Sequence, residues 1–347
     1  MKNMSISRGQ AIIMLTLFGV LFCVLNTDYS SMGKMLADTA VTVIILSVMA
    51  IPLVILAGKC SGTVPMICSE RLGIFGKAAD VVFFIYFTCA AGDVLSRYGE
   101  FACERYFREA VPVICTAMLG AICIYISHTG AETVCRMSTV LLIMLVLTSA
   151  VFVFGGADDI ADFDYSTVTA ERLSLTDGFG GLFPLGAAGT AVLCILCGGL
   201  GKKTRCGLYA GLAAMLTAAV LITGAVWTTL EGYVFSSEYP LTDSVIYASR
   251  GATFRNDGLF FSLWTVIAAA VISLLCACAG HSFKCVFNKI RYEGIISGTA
   301  AVILAIISIY TEIPVCRMIY AVPVLPVFLV SVIPLILLFA VKGKENR

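Results

Sequence analysis

The residues of this chain that could do chemistry are few, and most are embedded in apolar sequence. Residues 87–100 read FTCAAGDVLSRYGE and follow the apolar run VVFFIYF. Asp93 therefore lies about 15 residues into a membrane-length helix, roughly 22 Å along its axis. A bilayer core is about 30 Å thick, which puts the carboxylate in its far third. Carboxylates at that depth are costly and tend to serve substrate or proton sites. Arg97, four residues on, shares the helix face with Asp93, and Glu100 lies three beyond it. A local ion-pair cluster, with Arg97 reaching outwards, is thus the competing reading. Asp80, at the other end of the same segment, reads as an interfacial residue.

Other chemistries find little support. The two histidines, His128 and His281, have no metal-ligand partner at a suitable spacing. The Cys194/Cys197 pair lies in an apolar helix without a nearby histidine, and most of the fifteen cysteines fall in apolar runs, where cysteine acts as a small hydrophobe. Cys103 and Cys316 are the pair expected to face outside together, leaving room for one disulfide. There is no phosphate-binding G-x-x-x-x-G-K-[ST] loop, which excludes an ATP-driven pump in one chain. No cofactor, metal or enzymatic activity is expected, and a net charge of +1 without a basic patch argues against nucleic acid.

The elements that must position Asp93 follow from composition. The chain is 59% hydrophobic and 13% charged, with a mean hydropathy of +0.97. Soluble domains carry about 25% charged residues, so this is an all-α integral membrane protein. Its apolar runs are continuous and too long for barrel strands. Ten spans are expected, near 8–26, 38–58, 78–97, 110–127, 136–155, 179–199, 205–230, 258–280, 294–311 and 320–341. An inside N-terminus places fifteen of the 23 basic residues, Lys202, Lys203 and Arg205 among them, on the cytoplasmic side. Both termini are then cytoplasmic. The longest connections, 156–178 and 231–257, lie outside, and residues 1–347 form a single membrane domain.

Two spans carry helix breakers. Span 1 has Gly19 at its centre, while span 6 holds Gly178, Gly180, Gly181, Pro184, Gly186 and Gly189. Proline removes a backbone donor, and glycine lowers the cost of leaving helical geometry. Interrupted spans at matching positions of two halves point to a five-plus-five inverted repeat, here about 8–155 and 179–341. A half-helix N-terminus suits a ligand carboxylate, and exposed carbonyls suit an ammonium. Close helix packing through small residues is the plainer explanation of the same glycines.

One stretch is more specific: EYPLTDSVIYASRGATFRNDGLFFSLWTV, with Tyr239-Pro240, then Arg255-x-Asp257, then Trp264. It resembles the spore germination permease family, the B-type membrane subunits of nutrient germinant receptors. ISRGQAIIMLTLFGVLF, LSRYGEFACERYFREAVP and FPLGAAGTAVLCILCGGL fit the same pattern, so the resemblance covers nearly the whole chain. It implies a LeuT-like fold of the amino acid–polyamine–organocation superfamily, with broken helices 1 and 6. It also implies a spore inner membrane location, A-type and C-type partner subunits, and a small nutrient ligand such as an amino acid. Carried over by position, the ligand site would comprise Gly19 and Val20, Tyr86, Asp93, Phe183, Leu185, Gly186, Gly189 and Thr190. Arg97, Arg255, Asp257 and Trp264 would be structural or lining. Family members often carry an acidic residue within span 6, and AAGTAVL here departs from that. An autonomous amino acid or polyamine transporter, and a subunit that only conducts ions or water, remain the alternatives.

Overall fold

The computed structural model describes residues 6–25, 32–60, 62–107, 110–155, 182–230, 233–234, 237–248, 257–287 and 292–345. The regular elements among them are all helical. The first half contains α1 (Arg8–Leu25), α2 (Met32–Met49), α3 (Ile51–Lys59), α4 (Val64–Leu72), α5 (Ile74–Arg105), α6 (Pro112–His128) and α7 (Ala131–Gly155). The second half contains α8 (Phe183–Leu200), α9 (Thr204–Leu230), α10 (Pro240–Ala248), α11 (Asp257–Val286), α12 (Glu293–Thr311) and α13 (Val315–Tyr320). It closes with α14 (Val324–Val327), a π-helical turn over Phe328–Val332 and α15 (Ile333–Glu345).

Local chemistry sets several of these boundaries. Pro52, Pro65, Pro112 and Pro184 each sit in the first positions of a helix, where a missing N–H costs nothing. Thr63 caps α4 by accepting a hydrogen bond from the Met66 N–H at 3.3 Å. Helices α2 and α3 form one span, because the Ala50 and Val54 amides continue the ladder across the junction.

Among the described residues, six helical stretches are long and apolar enough to cross a membrane: Arg8–Leu25, Lys34–Lys59, Ile74–Arg105, Phe183–Leu230, Gly258–Val286 and Glu293–Thr311. Helices α6 and α7 add a pair bent at 115°. Phe183–Leu230 is itself a hairpin. A Cβ at Gly186 would lie 3.4 Å from the Met215 side chain, although the two residues are 29 apart in sequence. In one straight helix they would be roughly 43 Å apart. The fold-back occurs at Gly201, whose φ of 53° is open to glycine and costly for other residues. Each of the ten expected spans thus has its helix, with α14, the π-turn and α15 together forming the last.

The breaks expected at Gly19 and from Pro184 to Gly189 are not found among the described residues. Helix α1 runs unbroken through Gly19, and α8 runs unbroken from Phe183, with the Gly186 amide bonded to the Leu182 carbonyl. Gly178, Gly180 and Gly181 lie outside the described residues. The described glycines serve close approach instead. Ala11, Leu15 and Gly19 of α1 meet Gly207, Gly211 and Met215 of α9 in step, so these helices are parallel. Gly189 of α8 meets Phe18 and Leu15 of α1, and Gly186 shares Met215 with Gly19, so α8 runs antiparallel to α1. Small residues at such crossings let backbones approach in a medium that offers no hydrophobic drive.

Helix α5 is the spine, with Phe83, Tyr86, Phe87, Ala90, Ala91, Val94 and Leu95 wholly buried. The outward faces of neighbouring helices carry exposed Ile44, Val48, Met118, Ile122, Val140 and Leu221, a surface suited to lipid. Asp80, near the start of α5, is fully buried between α4 and α11 rather than open to the surface. Nor do Cys103 and Cys316 pair. All fifteen cysteines are free, with Cys103 lying 3.3 Å from Cys115 and Cys316 packed beside Gly92 and hydrogen-bonded to Cys89.

Candidate functional site

Asp93, Ser96, Arg97 and Glu100 follow one another at helical spacing on α5 and line a single cavity of about 380 Å³. Leu25, the last residue of α1, closes one side of it. Tyr239 and the end of α12, with Ser308, Ile309 and Glu312, close another, and Pro314 and Arg317 complete it. A space of this size suits a small solute. Glu312 holds a left-handed conformation (φ 52°) as the residue that ends α12. A non-glycine residue there carries a backbone cost of about 1 kcal/mol, and such strain concentrates at functional sites.

Asp93 is 2% exposed. The Tyr320 hydroxyl donates to its Oδ2 at 3.1 Å, while the Arg97 Nη1 stands 4.0 Å away. The stronger bond of Arg97 goes elsewhere, from Nη2 to the Leu25 carbonyl at 2.6 Å. The last carbonyls of a helix have no partner within it, and a guanidinium supplies charge and donor together. Arg97 therefore ties the end of α1 to α5 and leaves Asp93 only loosely paired. The second guanidinium, Arg317, lies within electrostatic reach of Asp93. Three carboxylates (Asp93, Glu100, Glu312) thus face two guanidinium groups, with the negative end of α1 beside them.

The Tyr239 segment is pinned above this cavity. Its hydroxyl donates to Glu104 Oε2 at 2.6 Å, and the Arg105 guanidinium lies 5.2 Å from its ring centre. Arg105 also pairs with Asp243 at 3.1 Å, and Ser237 bonds the same carboxylate. Burial and the Glu104 carboxylate push the Tyr239 phenol above its ordinary range, so it stays a donor.

The other expected site residues divide. Gly19, Gly186 and Gly189 meet at the α1–α8–α9 crossing, while Val20, Leu185 and Thr190 are buried on the same helices, and the Thr190 hydroxyl donates to the Gly186 carbonyl at 2.8 Å. Phe183 opens α8 and is buried. Tyr86 links to the cavity through Tyr320, whose ring centre lies 6.4 Å from its own. Trp264 packs on Phe101 and Phe260. Asp257 begins α11, while Arg255 lies outside the described residues. Sequence reading missed Tyr320, Arg317, Glu312 and Ser308. The available signal was CRMIY, a short run that places an arginine and a tyrosine three apart between two apolar segments.

No protein-family model matches this chain, and no curated protein sequence does. Solved structures do match. The fold is similar to that of Mhp1, a nucleobase-cation-symport-1 family transporter, in a closed conformation with bromovinylhydantoin bound. That likeness has a TM-score of 0.56 at 13% identity, covering 94% of this chain and 75% of that one. The inward-facing conformation of Mhp1 gives a TM-score of 0.54 at 13% identity, over 94% and 76%. The chain is therefore a multi-pass membrane protein with a LeuT-like fold.

Proposed function

We propose that this chain is a secondary transporter for a small zwitterionic or cationic solute, which enters through the cavity at the Leu25 end of the bundle. The observation that carries this reading is the meeting of Asp93, the C-terminal end of α1 and Arg317 around one cavity. An ammonium group suits the cavity as a whole, where three carboxylates and the end of α1 outnumber two guanidinium groups. A carboxylate fits Arg317, because guanidinium presents paired donors to a planar anion. The transporter likeness supports coupled movement over simple binding, and the loop charges support an extracytoplasmic cavity. The test is uptake of amino acids and polyamines into proteoliposomes that contain this chain alone. Concentrative uptake lost in Asp93→Asn supports the reading, and absence of uptake for every amine tested counts against it.

The receptor reading has one specific support. Tyr239, which opens the stretch resembling germinant receptor B subunits, lines the same cavity. In that role the chain would sit in the spore inner membrane beside A-type and C-type subunits, and solute binding would shift the bundle between two packings for them to sense. Exchange of the chain between receptor operons separates the two: a germinant profile that follows it, without uptake by the chain alone, favours the receptor.

A further inference from the structure

Asp80 lies on the first turns of α5, at the Arg8 end of the bundle, thirteen residues before Asp93. That separation is about 20 Å along the helix axis. Its side chain is fully buried, and neither carboxylate oxygen has a hydrogen-bond partner among the described residues. Helix α4 folds back over it. The chain turns at Gly73 with a φ of 58°, and Gly76 then meets the Cys68 main chain so closely that no Cβ fits between them. On the other flank, α11 closes in through the Phe84–Phe283 ring contact at 5.0 Å.

The titratable groups facing Asp80 are the thiols of Cys68 on α4 and Cys285 on α11. Beyond Cys285 stand Glu70 and Lys284, and Lys284 is already paired with Glu293. His281, on the same end of α11, is bonded to the Thr63 hydroxyl at 3.0 Å. An ionised carboxylate here would forgo its hydration, a cost of several kcal/mol, and among the described residues no cation is paired with it to compensate. A proton removes most of that cost. The described residues offer no cluster of three or more side chains able to hold a metal ion, so the donor set suits a proton.

We propose that Asp80 is a proton-binding site, sealed by α4 in this conformation and loaded from the Arg8 side when α4 parts from α5 about Gly73. The step is a simple proton transfer: hydronium on that side gives its proton to the carboxylate, and water takes it back. The use of this proton to drive solute rests on the transporter reading; its binding does not.

The test is infrared difference spectroscopy of the full chain in lipid nanodiscs between acidic and alkaline buffer. A protonated-carboxyl C=O band that falls as pH rises is expected, absent in Asp80→Asn and retained in Asp93→Asn. Should Asp80→Asn fail to insert, Asp80→Glu keeps the carboxyl and must shift the band. A wild-type spectrum without the band, or a band unchanged in the Asp80 variants, overturns the proposal. Proteoliposome uptake separates the two readings: no uptake with the Asp80 band present defeats transport and leaves the proton site standing.

Discussion

Asp93 and Asp80 are the same group on the same helix, and the bundle treats them differently. Asp93 faces a cavity, receives the Tyr320 hydroxyl and has two guanidinium groups nearby. Asp80 faces packed helices and has no hydrogen-bond partner among the described residues. One carboxylate borders a solute-sized space, and the other is enclosed by packed helices. The cost of a buried carboxylate is thus decided by its neighbours rather than by its depth, because desolvation is similar for both and only compensation differs.

The largest test of that contrast removes charge from the cavity side. Asp93→Asn keeps shape and takes away the anion, so solute affinity should fall about 100-fold, or ~2.7 kcal/mol. Unchanged binding would show that the cavity is not the solute site. Next, Gly76→Ala should make the Asp80 region resemble the Asp93 region. Its Cβ would strike the Cys68 main chain, and overpacking of this kind costs about 2 kcal/mol. The expected outcome is a displaced α4 and a Cys68 thiol, buried in the native chain, that becomes reactive to a maleimide. A Cys68 that stays protected would mean α4 is no cover.

Arg97→Lys keeps the charge and shortens the reach to the Leu25 carbonyl. A loss of about tenfold in affinity is expected, since one charge-assisted bond at the end of α1 goes. Equal affinity would reduce Arg97 to a spectator of the cavity. Tyr320→Phe is the smallest step and should cost about 1 kcal/mol, a few-fold in affinity, by removing a hydroxyl bond to Asp93. A bigger loss would mean that Tyr320 touches solute directly.

The glycines show why some of this was legible and some was not. Their placement in spans 1 and 6 marked those helices as special, and Gly19, Gly186 and Gly189 do lie where α1, α8 and α9 cross. What a glycine is for, a break or a close approach, depends on what stands opposite, and Met215 is nearly two hundred residues from Gly19 in sequence. Likewise Asp93 and Arg97 were visible as an i,i+4 pair, and that pair exists at 4.0 Å. Their principal bonds reach Tyr320 and Leu25, at sequence separations of 227 and 72. No local spacing encodes either one.

By itself, then, the amino-acid order determined the helical membrane character, the number and approximate limits of the spans, and the shared face of Asp93, Arg97 and Glu100. Those follow from hydropathy and the 3.6-residue turn, which act over one helix at a time. Only the tertiary structure decided that α1 and α8 run whole through their glycines, that Arg97 caps α1, that Arg317 and Glu312 join Asp93 at one cavity, and that Tyr320 bonds Asp93. It also decided that Asp80 is sealed. The physical reason is that burial and partnering are properties of helices packed against one another, and side chains far apart in the chain supply both the compensation of a charge and the lack of it.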